Sequence, residues 1–250
     1  MDTHPADRLS RIRNMILDPT LVPEQSEREV GLRALDSYER QSPVESLSAQ
    51  CLEAMASAIR SVNAHVSIPV AHLLGNLALD HQSARNMIRR LQKEESEDTR
   101  FSAICAASCA SLISDGFAVE ILRIALSDPS MKVRRFAVDE AMRWRVEQLL
   151  PDLRRLCGST KNATEREETQ LVTELIAEGY WVKPASDADL AFFNFKVPMH
   201  AVYVRTEDGE IIRCFATSKE VDTRGAAQVA QRTLEDYYRQ HGNPLGDERT

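Results

Sequence analysis

The sequence predicts a mainly α-helical protein: a short, right-handed superhelix of paired helices (an α-solenoid) with a small ββα segment at its C-terminal end. Apolar residues recur at helical spacing through residues 1–179, with short breaks between the stripes. Residues 180–250 instead concentrate aromatic and β-branched side chains in two runs. We therefore divide the chain into a helical solenoid, 1–179, and a C-terminal appendage, 180–250, packed on the last helical repeat.

Four apolar stripes define the clearest of the predicted helices. Each stripe has the i, i+3, i+4 and i+7 spacing that places its residues on one face of a helix. The stripes are Leu9, Ile12 and Ile16; Leu47, Cys51, Met55, Ala58 and Val62; Ala84, Met87, Ile88 and Leu91; and Val146, Leu149, Leu150, Leu153 and Leu156. Together with the stretches between them, they predict about ten helices of ordinary length before Gly179.

The breaks between these helices have recognisable turn chemistry. Asp18-Pro19, Asp115-Gly116 and Asp128-Pro129 are turn dipeptides. Ser42-Pro43 offers an N-cap followed by proline at the first helical position. Gly158 is placed to close a helix in the left-handed conformation. Because short loops hold consecutive helices side by side, we expect antiparallel helical pairs.

The appendage is predicted to contain a hairpin and one helix. Residues 200–206 and 210–217 read as strands, and Asp208-Gly209 between them can form the turn because glycine tolerates positive φ. The helix is predicted from Arg224 to Gln240. An aromatic run before the hairpin is expected to pack the appendage onto the last solenoid helix, or alternatively to line a ligand pocket; its members are Tyr180, Trp181, Phe192, Phe193 and Phe195.

A short pattern recurs at a period typical of solenoids. An arginine is followed by one small residue three positions later and by another after four more. The pattern returns after 34 and then 32 positions, at Arg100, Ala103 and Ala107; Arg134, Ala137 and Ala141; and Arg166, Thr169 and Thr173. Since small side chains allow paired helices to approach closely, we predict that Ala137 and Ala141 are buried between helices.

The best copy of this pattern resembles a HEAT repeat. Asp128-Pro129 is similar to the turn of that family, Val133-Arg134 and Ala137 to its first helix, and residues 149–153 to the Leu-Pro-x-Leu stretch of its second helix. Three stretches carry the resemblance, in decreasing order of likeness: 128–157, 98–127 and 163–179. The resemblance implies stacked helical pairs, a structural role for the repeated arginine and a surface that holds a protein partner.

The stretch from Lys132 to Arg155 is locally basic, with seven Lys and Arg residues against four Asp and Glu residues. Trp144 lies within it, and arginine and tryptophan are common at binding hot spots. The candidate binding residues are therefore Arg134, Arg135, Arg143 and Trp144. The alternative is that these cations pair with acids of the neighbouring repeat, which are Glu165, Glu167, Glu168, Glu174 and Glu178.

No catalytic, cofactor or metal site is predicted. The chain has no P-loop, GxGxxG, GxSxG or HExxH motif, and its six histidines are scattered. Asp187 and Asp189 could act as acid and base, although Ser186 before them favours a helix cap. The cysteines lack CxxC spacing, and we expect reduced, buried thiols; they are Cys51, Cys105, Cys109, Cys157 and Cys214.

The composition is that of a folded, water-exposed protein. Of its 250 residues, 43% are hydrophobic and 28% are charged. No stretch approaches the roughly 20 apolar residues of a membrane span, and the first residues lack the apolar core of a secretory signal. We expect a soluble, cytoplasmic protein that does not enter a membrane.

The predicted function is that of a non-catalytic scaffold or adaptor for a protein partner, of which a bacterial immunity protein would be one form. The rival class is nucleic-acid binding, because some HEAT-like proteins resemble alkylation-repair DNA glycosylases with a basic concave face. Nucleic-acid binding would require the arginines of 132–155 to lie on one surface with Arg89 and Arg90. The net charge of -7 and the pI of about 5.5 argue against it. A phycobilin lyase is a third helical-repeat class, although no residue marks a pigment site.

Overall fold

The computed structural model describes residues 5–40, 47–108, 110–207 and 209–242. Within these ranges, fourteen α-helices account for most of the chain, and three strands form one antiparallel sheet. The predicted mainly helical fold, with a small strand-containing segment towards the C-terminal end, is confirmed at this level.

The chain forms two compact units, Met1–Glu140 and Ala141–Thr250. The predicted division at 179/180 marks a different feature, which is the change from helices to the first strand at Tyr180. Two helices of the predicted solenoid therefore belong to the same compact unit as the sheet.

The elements follow one another with short connections. In chain order they are α1 (Pro5–Leu17), α2 (Gln25–Glu39), α3 (Ala49–Ile59), α4 (Ala64–Asp80), α5 (Gln82–Leu91), α6 (Glu97–Ala107), α7 (Ala110–Ser114), α8 (Phe117–Ala125), α9 (Met131–Arg143), the 3-10 turn η1 (Glu147–Leu149), α10 (Leu150–Ser159), α11 (Ala163–Ala177), β1 (Tyr180–Pro184), α12 (Asp187–Phe192), β2 (Met199–Arg205), β3 (Ile211–Thr217), α13 (Ser218–Arg224) and α14 (Ala226–His241).

Helix contacts in the first unit follow the order of the chain. Each helix from α1 to α6 packs on the next one, and α2 also packs on α4, α4 on α6, and α3 on α5. Large apolar side chains fill the space between them without exposed surface, including Leu35, Ile59, Leu74 and Ile88. The contacts that form this core are therefore mostly local in sequence.

The predicted apolar stripes lie in helices whose apolar faces are buried. Ile16, Met55 and Leu149 represent three of the stripes, and none of them has exposed surface. The prediction is wrong for Val62, which is 84% exposed. Helix α3 ends at Ile59, so the helical spacing no longer applies three residues later.

Two of the predicted helix breaks have different outcomes. At Asp115-Gly116 the turn is confirmed: Gly116 has a φ of +83°, and the Asp115 carboxylate accepts the amide two residues later. Gly158 was expected to close a helix with positive φ, and this is wrong. It lies inside α10, and the chain leaves the helix at Thr160 with extended dihedral angles. The predicted cap at Ser42-Pro43 lies outside the described residues.

An arginine occupies the fourth position of four helices and reaches back to the turn before its own helix. In three of them, one guanidinium nitrogen donates to the carbonyls six and five residues earlier, at distances of 2.6–2.9 Å. In the fourth, it donates to the carbonyl six residues earlier at 2.8 Å. The arginines are Arg28, Arg100, Arg134 and Arg166. The sequence pattern predicted the last three, and Arg28 is an additional copy.

The small residues of the repeated pattern are buried, as predicted. Ala137 and Ala141 have no exposed surface, and the same holds for the alanines that follow Arg100. In α11 the equivalent residues are Thr169 and Thr173. Each threonine hydroxyl donates to the backbone carbonyl four residues earlier, at 2.7 Å. The hydroxyl groups are therefore satisfied within the helix, which makes their burial possible.

Arg100 also bonds to the turn before α9. Its Nε and Nη2 donate to the two carboxylate oxygens of Asp128, at 2.7 and 2.9 Å. The side chains are 11% and 5% exposed, so this is a buried bidentate pair. Asp128 Oδ1 also accepts the backbone amide of Ser130. One guanidinium thus joins its own turn to the next.

We predict that Asp128→Asn destabilises the protein by about 3 kcal/mol, because it leaves the buried Arg100 charge without a carboxylate. The asparagine oxygen can still accept the Ser130 amide, so the turn is preserved. The matched control is Asp98→Asn, which removes an ion pair with Lys132 whose side chains are about half exposed; it should cost less than about 1 kcal/mol. Urea unfolding measures both. Equal losses would contradict the structural importance of the buried pair.

Helices α4 and α6 approach each other closely at Gly75. A Cβ atom on Gly75 of α4 would lie 2.1 Å from the backbone carbonyl oxygen of Ala106 in α6. That distance is far inside van der Waals contact, and a backbone atom cannot move aside as a flexible side chain can. The crossing of α4 and α6 therefore requires glycine at this position.

We predict that Gly75→Ala destabilises the protein by about 1–3 kcal/mol, because the added methyl group forces the two helices apart. Gly158→Ala is the control. A Cβ at Gly158 meets nothing within 4 Å, and alanine in a helix favours folding by about 0.4–1 kcal/mol relative to glycine. Thermal unfolding should show changes of opposite sign. A neutral Gly75→Ala variant would contradict the described helix crossing.

The predicted hairpin is confirmed in the second unit. β2 pairs antiparallel with β3, with Val202 opposite Cys214, and Gly209 in the turn has a φ of +92°. Asp208 lies outside the described residues. One strand was missed: β1 pairs antiparallel with β2, so that the strand order is β1-β2-β3.

Pro184 is compatible with β1. It is the last residue of an edge strand, where no partner strand needs its missing N–H.

The C-terminal helix also differs from the prediction. Gly225, with a φ of +79°, separates α13 from α14, so the long helix begins at Ala226 and the preceding residues form their own short helix.

The sheet and α14 enclose a small apolar core of their own. Its buried residues are Val202, Val204, Ala216, Val229 and Ala230. Partly buried side chains from β1, β3, α13 and α14 pack around them, including Tyr180 and Leu234. This core fixes which face of the sheet is covered by α14.

Among the described helices, none combines the length and the apolar character needed to cross a membrane. None of the described cysteines is in a disulfide bond; Cys51 and Cys105 are buried, whereas Cys157 and Cys214 are partly exposed. The prediction of buried thiols therefore holds for two of these four, and Cys109 lies outside the described residues.

Candidate functional site

The four sequence-predicted binding residues lie on either side of the boundary between the compact units. Arg134 and Arg135 belong to the first unit, and Arg143 and Trp144 belong to the second. All four have interaction partners. Arg134 is engaged with the carbonyls of the turn before α9, which gives it a structural role. A binding role for the set stays a prediction.

Three further cations, Arg89, Arg90 and Lys132, are paired with acids. Arg89 donates to both carboxylate oxygens of Glu120, at 2.8 and 2.7 Å, and Arg90 donates to Glu53 at 2.8 Å. Lys132 pairs with Asp98 of α6. The alternative interpretation pairs the basic stretch with acids of the next repeat, whereas Asp98 belongs to the preceding helical pair.

A different surface unites aromatic rings and cations on the face of the sheet opposite the apolar core of α14. Successive side chains of a strand alternate between faces, so every second residue contributes. The register places Trp181, Tyr203 and Arg213 in one row across the three strands, and Lys183, Ala201 and Phe215 in the next. We call Trp181, Lys183, Tyr203, Arg213 and Phe215 the aromatic–cation face.

Each cation of this face lies over one ring of its own strand and over the ring of Tyr203 in β2. Lys183 Nζ is 4.8 Å from the ring centroid of Trp181 and 5.8 Å from that of Tyr203. The Arg213 guanidinium carbon is 5.4 Å from the Tyr203 centroid and 4.9 Å from that of Phe215. Each contact is worth about 0.5–1 kcal/mol at a partly exposed site. The face is therefore a fixed arrangement, with its rings held in place by their neighbours.

Carboxylates hold both cations from the side. Asp189 Oδ1 is 2.5 Å from Arg213 Nη2, and Glu167 of α11 pairs with Lys183. The Ser186 hydroxyl and, after it, the Arg213 guanidinium hold the pKa of Asp189 below its usual range. Burial lowers the pKa of Lys183, and the nearby Arg213 charge lowers it further.

Asp189 completes the helix cap that Ser186 predicted. The Ser186 hydroxyl accepts the Asp189 amide, and the Asp189 carboxylate accepts the Ser186 amide. The capping interpretation of this segment is therefore confirmed. Asp189 also pairs with Arg213, so one carboxylate belongs to both the α12 cap and the aromatic–cation face.

Phenylalanines after α12 extend the face with exposed apolar surface. Phe193 and Phe195 pack against Phe215, with ring centroids 5.0 and 5.1 Å apart. Phe192 is 81% exposed and Val197 is 52% exposed. The rings of Phe192, Phe193 and Phe195 contact one another and Phe215 of the sheet. Tyr180 instead packs on the opposite face of the sheet, against the apolar core beneath α14. Contiguous exposed apolar surface of this kind marks interaction sites.

The sequence carries a signal for this face in the spacing of its residues. Trp181 and Lys183 are two residues apart, as are Arg213 and Phe215, which is the spacing of side chains on one face of a strand. The signal depends on recognising β1 as a strand. Among the described residues, no group of three or more His, Cys, Asp or Glu side chains is arranged to hold a metal ion.

No known protein family model and no curated protein matches this chain. The similarity of residues 128–157 to HEAT repeats therefore remains a resemblance in pattern. The aromatic–cation face and the helices that precede it are therefore the features from which a function can be proposed.

Proposed function

We propose that this protein is a non-catalytic protein-binding module whose contact surface is the aromatic–cation face together with Phe192 and Phe193. The observation that supports this most directly is the 81% exposure of Phe192 beside rings already ordered by cations. Ordered aromatic side chains lose little conformational entropy on binding, and arginine beside them supplies directional hydrogen bonds. An adaptor that holds a protein partner is the function this chemistry fits best.

The helical part serves, in this proposal, as a HEAT-like right-handed stack that acts as a scaffold. The recurring arginine at the fourth position of α2, α6, α9 and α11 supports it. Polar contacts between residues 33 or 34 positions apart in the first unit also support it: Ser61 with Glu27, Arg60 with Glu94, and Ser130 with Glu97. Such a separation is expected where each helical pair contacts only its neighbours. A buried thiol outside any disulfide bond, such as Cys51, fits a cytoplasmic location.

Single-stranded nucleic acid is the second candidate, because aromatic rings on a sheet can stack bases and neighbouring cations can follow a phosphate backbone. The ion pairs weigh against it. Both Lys183 and Arg213 have carboxylate partners, and these acids would repel phosphates. The net charge of -7 adds to that repulsion.

We predict that Phe192→Ser abolishes recovery of a stoichiometric protein partner. The tagged full-length chain is purified from its native host, and bound proteins are identified by mass spectrometry. Val62→Ser is the matched control, because Val62 is 84% exposed but lies in the first unit, after α3. Wild type and the control should retain the partner. A partner that still binds the Phe192→Ser variant in full would contradict the proposed contact surface.

We predict weak binding to duplex DNA, with a Kd in the non-specific range of roughly 10⁻⁴ to 10⁻⁶ M or weaker at physiological salt. The cations at Arg89, Arg90 and Lys132 are already paired with acids, which limits the counterions that binding could release. Fluorescence anisotropy at two salt concentrations measures this. Submicromolar affinity with a steep salt dependence, lost in an Arg135→Glu variant, would favour the nucleic-acid class and contradict the protein-binding proposal.

A further inference from the structure

The outer edge of β3 carries backbone groups whose direction follows from the register. Thr206 N donates to Glu210 O at 2.8 Å, and Ser218 N donates to Pro198 O at 3.1 Å, one pair at each end of the hairpin. Bonded pairs alternate along an antiparallel ladder, so the even-numbered residues of β3 bond to β2. The N–H and C=O groups of Ile211, Arg213 and Phe215 consequently point away from the sheet.

These outward groups have no strand beside them in the described part of the chain, where β3 is the last strand of the sheet. The opposite edge is different. There Arg205 N donates to Gly179 O, so the outward residues of β1 are Tyr180, Val182 and Pro184. Pro184 has no N–H to offer, and proline on an edge discourages further pairing. Only the β3 edge presents a continuous set of donors and acceptors among the described strands.

A cleft of about 370 Å³ runs along this edge. One wall consists of five consecutive residues, 212–216, and the other consists of residues from α13 and α14, including Arg224, Arg232 and Thr233. Consecutive residues of a strand point to opposite faces, so a cleft that touches all five must follow the backbone edge. The cleft therefore has the form of a groove between an open strand and a helix, which is a common way to receive an extended peptide.

The charges lining the groove favour an acidic occupant. Three arginines line it, against two acids. The acids have partners within the protein, as do two of the arginines: Arg213 pairs with Asp189, and Arg232 lies 3.8 Å from Asp236. Glu220 accepts the amide and the hydroxyl of Thr217 in the cap of α13, and Asp236 accepts a hydrogen bond from Arg239 at 2.7 Å. Arg224 and Arg232 are on the helical wall, where they can reach carboxylates projecting from a strand laid along β3.

We propose that β3 receives an extended, acidic segment of a partner protein as a fourth strand, seated in the groove between β3 and α14. The inference rests on the proposed protein-binding function and adds the chemistry of the partner. Main-chain hydrogen bonds to Ile211, Arg213 and Phe215 supply affinity, and the arginines on the helical wall select Asp and Glu side chains.

The test begins with a phage-displayed library of random nonapeptides selected against the immobilised full-length chain. Enriched peptides should be acidic. Hydrogen exchange of the full chain, followed by NMR, then locates the bound peptide. In the free protein the amides of Ile211, Arg213 and Phe215 should exchange rapidly, whereas those of Ile212, Cys214 and Ala216 are protected. Adding a selected peptide should slow exchange of the first three by at least about tenfold.

Two variants at one position separate the backbone contribution from the charge. Arg213→Ala removes the guanidinium and keeps the outward N–H; Arg213→Pro removes both but no hydrogen bond of the β2–β3 ladder. Peptide affinity should fall by at least about tenfold more in the proline variant than in the alanine variant. If the proline variant does not fold, the exchange experiment on the wild-type chain still decides.

Several results would overturn the proposal: no enriched peptide, enriched peptides without acidic residues, or protection of amides away from β3. Protection of Ile211, Arg213 and Phe215 before any peptide is added, with a mass of twice 28.1 kDa in solution, would mean that a second copy of the chain fills the groove. The Val62→Ser variant, changed at an exposed residue outside both surfaces, should bind the selected peptides normally. A native partner that is lost in the Phe192→Ser variant, yet binds the wild-type chain without protecting the β3 amides, would leave the protein-binding function standing and remove this inference alone.

Discussion

The hydrogen bonds from a guanidinium to two turn carbonyls are the constraint on which the helical part of the chain depends. Carbonyls in a turn between packed helices have no helical partner, and leaving them unpaired costs about as much as a lost hydrogen bond. Arg100 donates hydrogen bonds to the carbonyls of the turn before its own helix. It also bonds to Asp128 in the turn before α9. In α2, α6, α9 and α11, a side chain at the fourth position of the helix thereby holds the turn that precedes it.

That constraint explains which parts of the fold could be predicted from sequence. The Arg134 pattern with Ala137 and Ala141 was recognisable because the turn carbonyls that accept hydrogen bonds from the arginine lie within six residues of it. The copy at Arg28 was missed because Leu35 stands where the other copies have a small residue. Gly158 shows the reverse error: a glycine at the right distance from a helix end need not adopt positive φ when the chain can leave the helix through an extended Thr160.

The candidate site was harder to predict because it is assembled by strand register and not by proximity in sequence. Trp181, Tyr203 and Arg213 come from three strands and become neighbours only once β1 pairs with β2. The basic stretch 132–155 was conspicuous in sequence for the opposite reason, since its residues are adjacent in the chain. A high local density of cations did not mean that their side chains were available to bind a partner. Arg134 bonds to turn carbonyls, and Lys132 pairs with Asp98.

Residues of β3 belong to both proposed contact surfaces, the aromatic–cation face and the open edge of the sheet. The side chains of Arg213 and Phe215 belong to the aromatic–cation face, whereas their backbone groups point along the open edge. A strand added at that edge would extend the rows that now end at these two residues, so the added side chains would lie beside the same rings and cations. Face and edge can therefore contact one continuous partner segment. Asp189 holds the Arg213 side chain from the α12 side, which leaves the edge of β3 unobstructed by the ion pair.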